Sequence, residues 1–148
     1  MSDQTTSTAP TITEQQRLRN NLFLTSGWIR NEIKSFLDQF EITQQQFNTL
    51  RILKENEGDP LSTNDLCEQM IDKMSDTSRI VERLVGKKLV TKKPCPHDGR
   101  KVQVFITKDG LYLLSTITTK INKLDEVFNS VSFDEMKQLN HLLEKLRS

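Results

Sequence analysis

Between Met74 and Thr107, a stretch with a helical period runs directly into two stretches that alternate like strands, and few folds accommodate that junction. Thr77, Ile80, Val81 and Leu84 share one face of the predicted helix, which starts near Met74, while Ser75, Asp76, Arg79, Glu82 and Arg83 share the other. Val85, Gly86, Lys87 and Lys88 lead out of it into a first strand. A charged tip from Pro96 to Arg100 follows, and the alternating run from Lys101 to Ile106 returns.

A helix that feeds a basic β-ribbon is how a winged helix is built, and the charge distribution fits a phosphate partner. Residues 72–101 hold nine Lys and Arg against four acids, a net +5, whereas the rest of the chain holds 12 against 16. The whole chain carries only +1, so its positive charge is concentrated on one module.

The remaining elements are helical. Met1 to about Ile12 is rich in Ser and Thr without apolar periodicity, and reads as a disordered tail. Leu18, Leu22, Ile29, Ile33, Phe36, Leu37 and Phe40 recur at helical intervals and predict a long amphipathic helix over about 13–40. Capping-box spacings at Thr43 to Gln46 and Ser132 to Glu135 open a second and a last helix. Ser62 to Asp65 opens a short third helix carrying Leu66, Cys67, Met70 and Ile71, and the fourth is the one described above. Thr107 caps a fifth, which bears Leu111, Leu114, Ile117, Ile121, Leu124 and Phe128. The expected fold is mainly α with a small β-ribbon: a winged helix-turn-helix lobe over about 43–107, with long terminal helices over about 13–40 and 108–147. All of it forms one domain over 13–148. A lobe of that size cannot cover the apolar faces of the terminal helices, so a second copy of the chain is the expected cover. Leu18, Leu22, Leu139 and Leu143 are the candidate contacts.

The stretch from Arg83 to Val90, the tip Asp98-Gly99-Arg100, and Val102 to Thr107 followed by Gly110 resemble the MarR family of bacterial regulators. The resemblance extends in helix order over nearly the whole chain. One departure is Lys88, where the family usually has glycine. The resemblance implies a cytoplasmic homodimer that binds a pseudo-palindromic stretch of double-stranded DNA, more often as a repressor, and responds to a small aromatic or phenolic effector. The fourth helix would lie in the major groove, with Ser75, Asp76, Thr77 and Arg79 reading bases. Arg100, held by Asp98, would enter the minor groove from the wing tip. Lys73, Arg83, Lys87, Lys92, Lys93 and Lys101 would contact the backbone, adding affinity and salt dependence but little sequence information. Trp28 and Arg30 are candidates for an effector pocket. A winged helix that serves as a protein-interaction module is the alternative, and the basic face argues against it.

Other chemistry finds little support. Cys67 and Cys95 lack the spacing of a disulfide framework or zinc ribbon, and His97 and His141 do not complete a ligand set. No metal or other cofactor is expected. Peroxide-sensing relatives carry a cysteine on the first helix, where this chain has none. No phosphate-binding loop, nucleophile set or paired carboxylates point to an enzyme. No apolar run approaches the ~20 residues of a membrane span.

Overall fold

In the computed structural model, which describes residues 10–148, helices begin where the sequence supplies an acceptor for the free N–H groups of the first turn. Thr13 caps α1 (Glu14–Asp38), Thr43 caps α2 (Gln44–Glu55) and Ser132 caps α7 (Phe133–Arg147), each through a reciprocal box with Gln16, Gln46 or Glu135. Ser62 and Asp65 do the same for α3 (Thr63–Gln69). The Ser62 N–H and hydroxyl hold the Asp65 carboxyl below its ordinary value, and Ser132 does the same for Glu135. The expected tail lies outside the described residues from 1 to 9, and residues 10–12 have no regular structure.

Three strands form one antiparallel sheet in the order β1-β3-β2. β1 (Leu61–Ser62) was not expected; it pairs Leu61 with Val104 on the free edge of the wing. Two residues are too few for a visible alternation, and only the pairing makes them a strand. β2 (Val90–Cys95) and β3 (Asp98–Ile106) form the ribbon, with Val90 opposite Ile106 and a register shift between Pro94 and Cys95. Pro94 is tolerated because β2 is an edge strand.

The core lies inside the lobe. Leu50, Leu66, Leu84 and Ile117 are wholly buried, joined by Leu53, Met70, Val81, Val90 and Val104. Helix α1 enters this core only through its C-terminal end, at Phe36 and Leu37, and α7 buries no residue. Leu18, Leu22, Phe23 and Leu24 on α1, and Phe133, Leu139, Leu142 and Leu146 on α7, are exposed; Leu143 is half-buried.

Three expectations need correction. Helix α4 spans Thr77–Gly86 and begins three residues later than expected, because Asp76 accepts from the Arg79 N–H as N-cap. The long fifth helix is divided into α5 (Lys108–Lys120), α6 (Asn122–Asp125) and a 3-10 turn over Glu126–Phe128, which a continuous apolar periodicity does not reveal. Ile71 lies beyond the end of α3 and is exposed, whereas Met70 is buried.

The turn after α4 shows how Lys88 replaces glycine. Its φ is 62°, its N–H donates to the Val85 carbonyl at 2.9 Å, and the Leu89 N–H donates to that of Leu84 at 3.0 Å. This is a Schellman closure with a lysine in the left-handed position, while Gly86 remains helical. Lys88→Gly should therefore raise the unfolding free energy by roughly 0.5–1 kcal/mol, the relief of strain being offset in part by glycine's chain entropy. A urea midpoint that does not rise, at constant slope, would count against strain at this residue.

Candidate nucleic-acid interface

Helices α3 and α4 are joined by a turn whose backbone is held by its own side chains. The Met74 N–H donates to Asp72 Oδ1 at 3.0 Å, and the Ser75 N–H to the Asp72 carbonyl at 3.2 Å. Met70 anchors the start of the turn in the core, its sulfur 3.7 Å from the hydroxyl of Thr49, which donates to the Gln45 carbonyl at 2.8 Å. These contacts fix the course of the turn between the two helices.

One face of α4 is apolar and buried through Thr77, Val81 and Leu84; the other exposes Ser78, Arg79, Glu82 and Arg83. Arg79 leans toward its own N-cap, with Nε 3.8 Å from Asp76 Oδ2, and its side chain is 71% exposed. So light a tether leaves its guanidinium free to turn outward.

The expected reading residues do not all share this face. Thr77 is only 5% exposed and its hydroxyl is buried without a hydrogen-bond partner, so it faces the core and is removed from the reading set. The Ser75 hydroxyl is buried in the same way. Asp76 is exposed but spends one oxygen on the cap. Ser78 was missed. Placing the N-cap at Asp76 puts it in the first turn beside Arg79, a signal available from Asp76 itself. Met74, 92% exposed just before the cap, was also overlooked.

At the wing, the turn falls on Pro96 and His97, and Asp98 already belongs to β3. Its carboxylate accepts the Arg100 backbone N–H at 3.0 Å, which fixes the tip, and among the described residues the exposed Arg100 side chain has no ion pair. The six expected backbone cations divide. Arg83 and Lys101 are exposed and form no ion pair among the described residues, although the Lys101 charge helps to hold the Asp65 carboxyl below its ordinary value; Lys93 lies 5.3 Å from the centre of the Phe105 ring. Lys73 donates to the Glu68 carbonyl. Lys92 pairs with Glu82, tying the wing to α4, so its charge is already answered. Lys87 turns inward to Glu41 and Gln46. Three residues assigned to the phosphate backbone thus have internal partners: Lys73 and Lys92 meet acceptors five and ten residues back, and Lys87 meets acceptors more than forty residues away.

Trp28 and Arg30 do not share a pocket. Trp28 packs edge-on against Phe128, with ring centres 6.4 Å apart. Arg30 lines a separate cleft of about 590 Å³ between α1, the start of α2 and the turn after α3, together with Ile29, Gln45 and Asp72. Two residues apart on a helix point in different directions, and the fold keeps them separate. Among the described residues no group of three or more His, Cys, Asp or Glu could hold a metal, and no helix is long and apolar enough to cross a membrane.

A model of the MarR family matches residues 40–101, which hold the whole helix-turn-helix and most of the wing. The HTH-type transcriptional repressor NicR of Pseudomonas putida is 31% identical over 107 residues, covering 72% of this chain and 66% of its own length. The chain belongs to the MarR family. IacR, another HTH-type transcriptional repressor of Pseudomonas putida, is 28% identical over 119 residues, or 80% of this chain and 70% of the relative. A MarR protein of E. coli, solved in complex with operator DNA, has the same fold at a TM-score of 0.79 and 23% identity, covering 90% of this chain and 95% of the other. MarR proteins are transcription regulators rather than enzymes, and this one is a DNA-binding regulator with a mainly helical winged-helix fold.

Proposed function

We propose that the chain is a homodimeric, cytoplasmic repressor that reads a pseudo-palindromic operator. The lobe of about residues 43–107 would bind DNA, and the helices over about 13–40 and 108–147 would join the protomers. The observation that carries this reading is the outward face of α4, with Ser78, Arg79 and Arg83 exposed beside a wing tip whose Arg100 is held only by its backbone. Arg79 is the base-reading residue, suited to O6 and N7 of a guanine in the major groove. Asp76 and Ser75 shape the helix start, Arg100 enters the minor groove, and Arg83, Lys93 and Lys101 hold phosphates. Repression agrees with the names of the two Pseudomonas relatives. The exposed apolar faces of α1 and α7 support the dimer, since their burial between two copies would also set the distance between recognition helices. A small aromatic acid or phenol is the proposed effector class, and the cleft beside Arg30 offers a cation to an anionic member of it. Such a ligand would release DNA only if it favoured a dimer whose helices no longer match successive major grooves. No catalytic role is assigned to any residue.

Titration of a panel of duplexes at several salt concentrations tests this reading. Arg79→Ala should lose ~1–3 kcal/mol on the preferred duplex and relax preference at one position per half-site. Arg100→Ala should lose most where the flanks are rich in A·T pairs. Arg83→Ala should weaken every duplex alike and lower the salt slope by about one per site. Identical losses on all duplexes for all three variants would mean that helix and wing supply charge alone, and the sequence-specific reading would fall.

A further inference from the structure

Lys87 closes α4. As the C-cap residue it donates its backbone N–H to the Arg83 carbonyl, while its side chain turns back toward the junction of α1 and α2. There the ammonium donates to the carbonyl of Glu41 and, at 3.0 Å, to Gln46 Oε1. Gln46 is only 4% exposed, and the same oxygen accepts the Thr43 N–H that completes the α2 capping box, at 3.2 Å. Glu41 sits in the left-handed region with φ 54° and turns the chain just after the buried pair Phe36 and Leu37. One ammonium therefore ties together the end of α1, the start of α2 and the end of α4.

We propose that Lys87 is a positioning residue for DNA reading, which holds the recognition helix to the α1–α2 turn instead of contacting phosphate. Both of its partners are neutral. Swinging to a phosphate would leave the buried Gln46 oxygen with the Thr43 N–H as its remaining donor and would break the link between α4 and the α1–α2 turn. Helix α1 carries the exposed apolar face at its other end, so the link connects the proposed dimer helix to the angle at which α4 meets DNA. This inference rests on the reading of α4 as the groove-entering helix.

The test compares a preferred and a scrambled duplex at several salt concentrations, with thermal unfolding measured in parallel. Lys87→Met keeps the length of the side chain and removes its donors. It should weaken the preferred duplex about tenfold, as expected for the loss of a part-buried hydrogen bond from a charged donor, with scrambled-duplex binding and the salt slope unchanged. A purely structural role would lower the unfolding temperature without moving the ratio between duplexes below it. Gln46→Glu keeps the capping box and strengthens the Lys87 link, so preferred-duplex binding should be unchanged or tighter. A phosphate-binding Lys87 would instead be drawn away from DNA by the new carboxylate, weakening both duplexes alike. Gln46→Glu therefore separates positioning from phosphate contact even if Lys87→Met does not fold: tighter preferred-duplex binding supports the inference, and equal weakening of both duplexes overturns it. Uniform loss with a slope lower by about one per site in Lys87→Met, or no change in that variant, would overturn the inference. A parent protein with no preference between duplexes would defeat the groove-reading assignment itself, whereas a parental preference left intact in Lys87→Met defeats only the role of Lys87.

Discussion

Leu22→Asp combined with Leu139→Asp is expected to yield a folded monomer that binds the operator at least a hundredfold more weakly than the parent. Neither residue belongs to the core: Leu22 is 36% and Leu139 52% exposed, and the buried cluster lies in the lobe. Each leucine buried between protomers contributes about 1.5–3 kcal/mol, and an isologous contact counts every residue twice. An unpaired aspartate on the same face reverses the gain and adds the cost of burying a charge. Once the protomers part, the second half-site is no longer presented at the high effective concentration that tethering provides, a loss of roughly 10²–10⁴ in avidity. Sedimentation together with operator titration measures both parts. A parent that sediments as a 17.2 kDa monomer while binding the operator tightly, or a variant that remains a dimer with parental affinity, would remove the two-helix spacing mechanism.

Glycine to alanine should have opposite signs at two helical positions. At Gly110, near the start of α5, a Cβ would stand 2.3 Å from the Leu89 carbonyl oxygen and 2.8 Å from Ile106 Cγ1. The carbonyl cannot yield freely, because it accepts the Thr107 N–H at 3.0 Å, and Thr107 Oγ1 donates to the neighbouring Lys88 carbonyl at 2.8 Å. Thr107 also caps α5 through the Gly110 N–H, so the exit of α4, the end of the wing and the start of α5 meet at one point. Helix propensity favours alanine by up to ~1 kcal/mol, but overpacking against backbone costs more, and Gly110→Ala should lose about 2 kcal/mol net. At Gly27, on the exposed part of α1, a Cβ meets nothing within 4 Å. Gly27→Ala should gain roughly 0.5–1 kcal/mol from propensity alone. Urea unfolding of the two variants reads both signs, and a Gly110→Ala midpoint at or above the parent's would show that α5 can move off the Lys88–Leu89 turn at little cost.

Short-range chemistry was legible from the order of residues. The boxes at Thr43, Ser62 and Ser132 need only partners three positions apart and a hydroxyl or carboxyl of the right length, so the starts of α2, α3 and α7 could be read directly. The wing was legible because a period of two gives way to a charged turn, and Asp98 reaches Arg100 within the same few residues. Asp76 was as local as these, and its neglect misplaced the start of α4; Thr77 entered the reading set although its place on the face of Ile80, Val81 and Leu84 already turned it toward the core.

The tertiary structure decided which cations face outward. Lys87 and Lys92 resemble Arg83 and Lys101 in the sequence, yet Gln46 lies 41 residues from Lys87 and Glu82 lies ten from Lys92. A long flexible side chain takes the nearest suitable acceptor, and only the packing of elements far apart in the chain determines which acceptor that is. The two-residue strand β1, the division of the fifth helix and the separation of Trp28 from Arg30 have the same origin. Each depends on what lies across from a residue in space, which local periodicity does not encode.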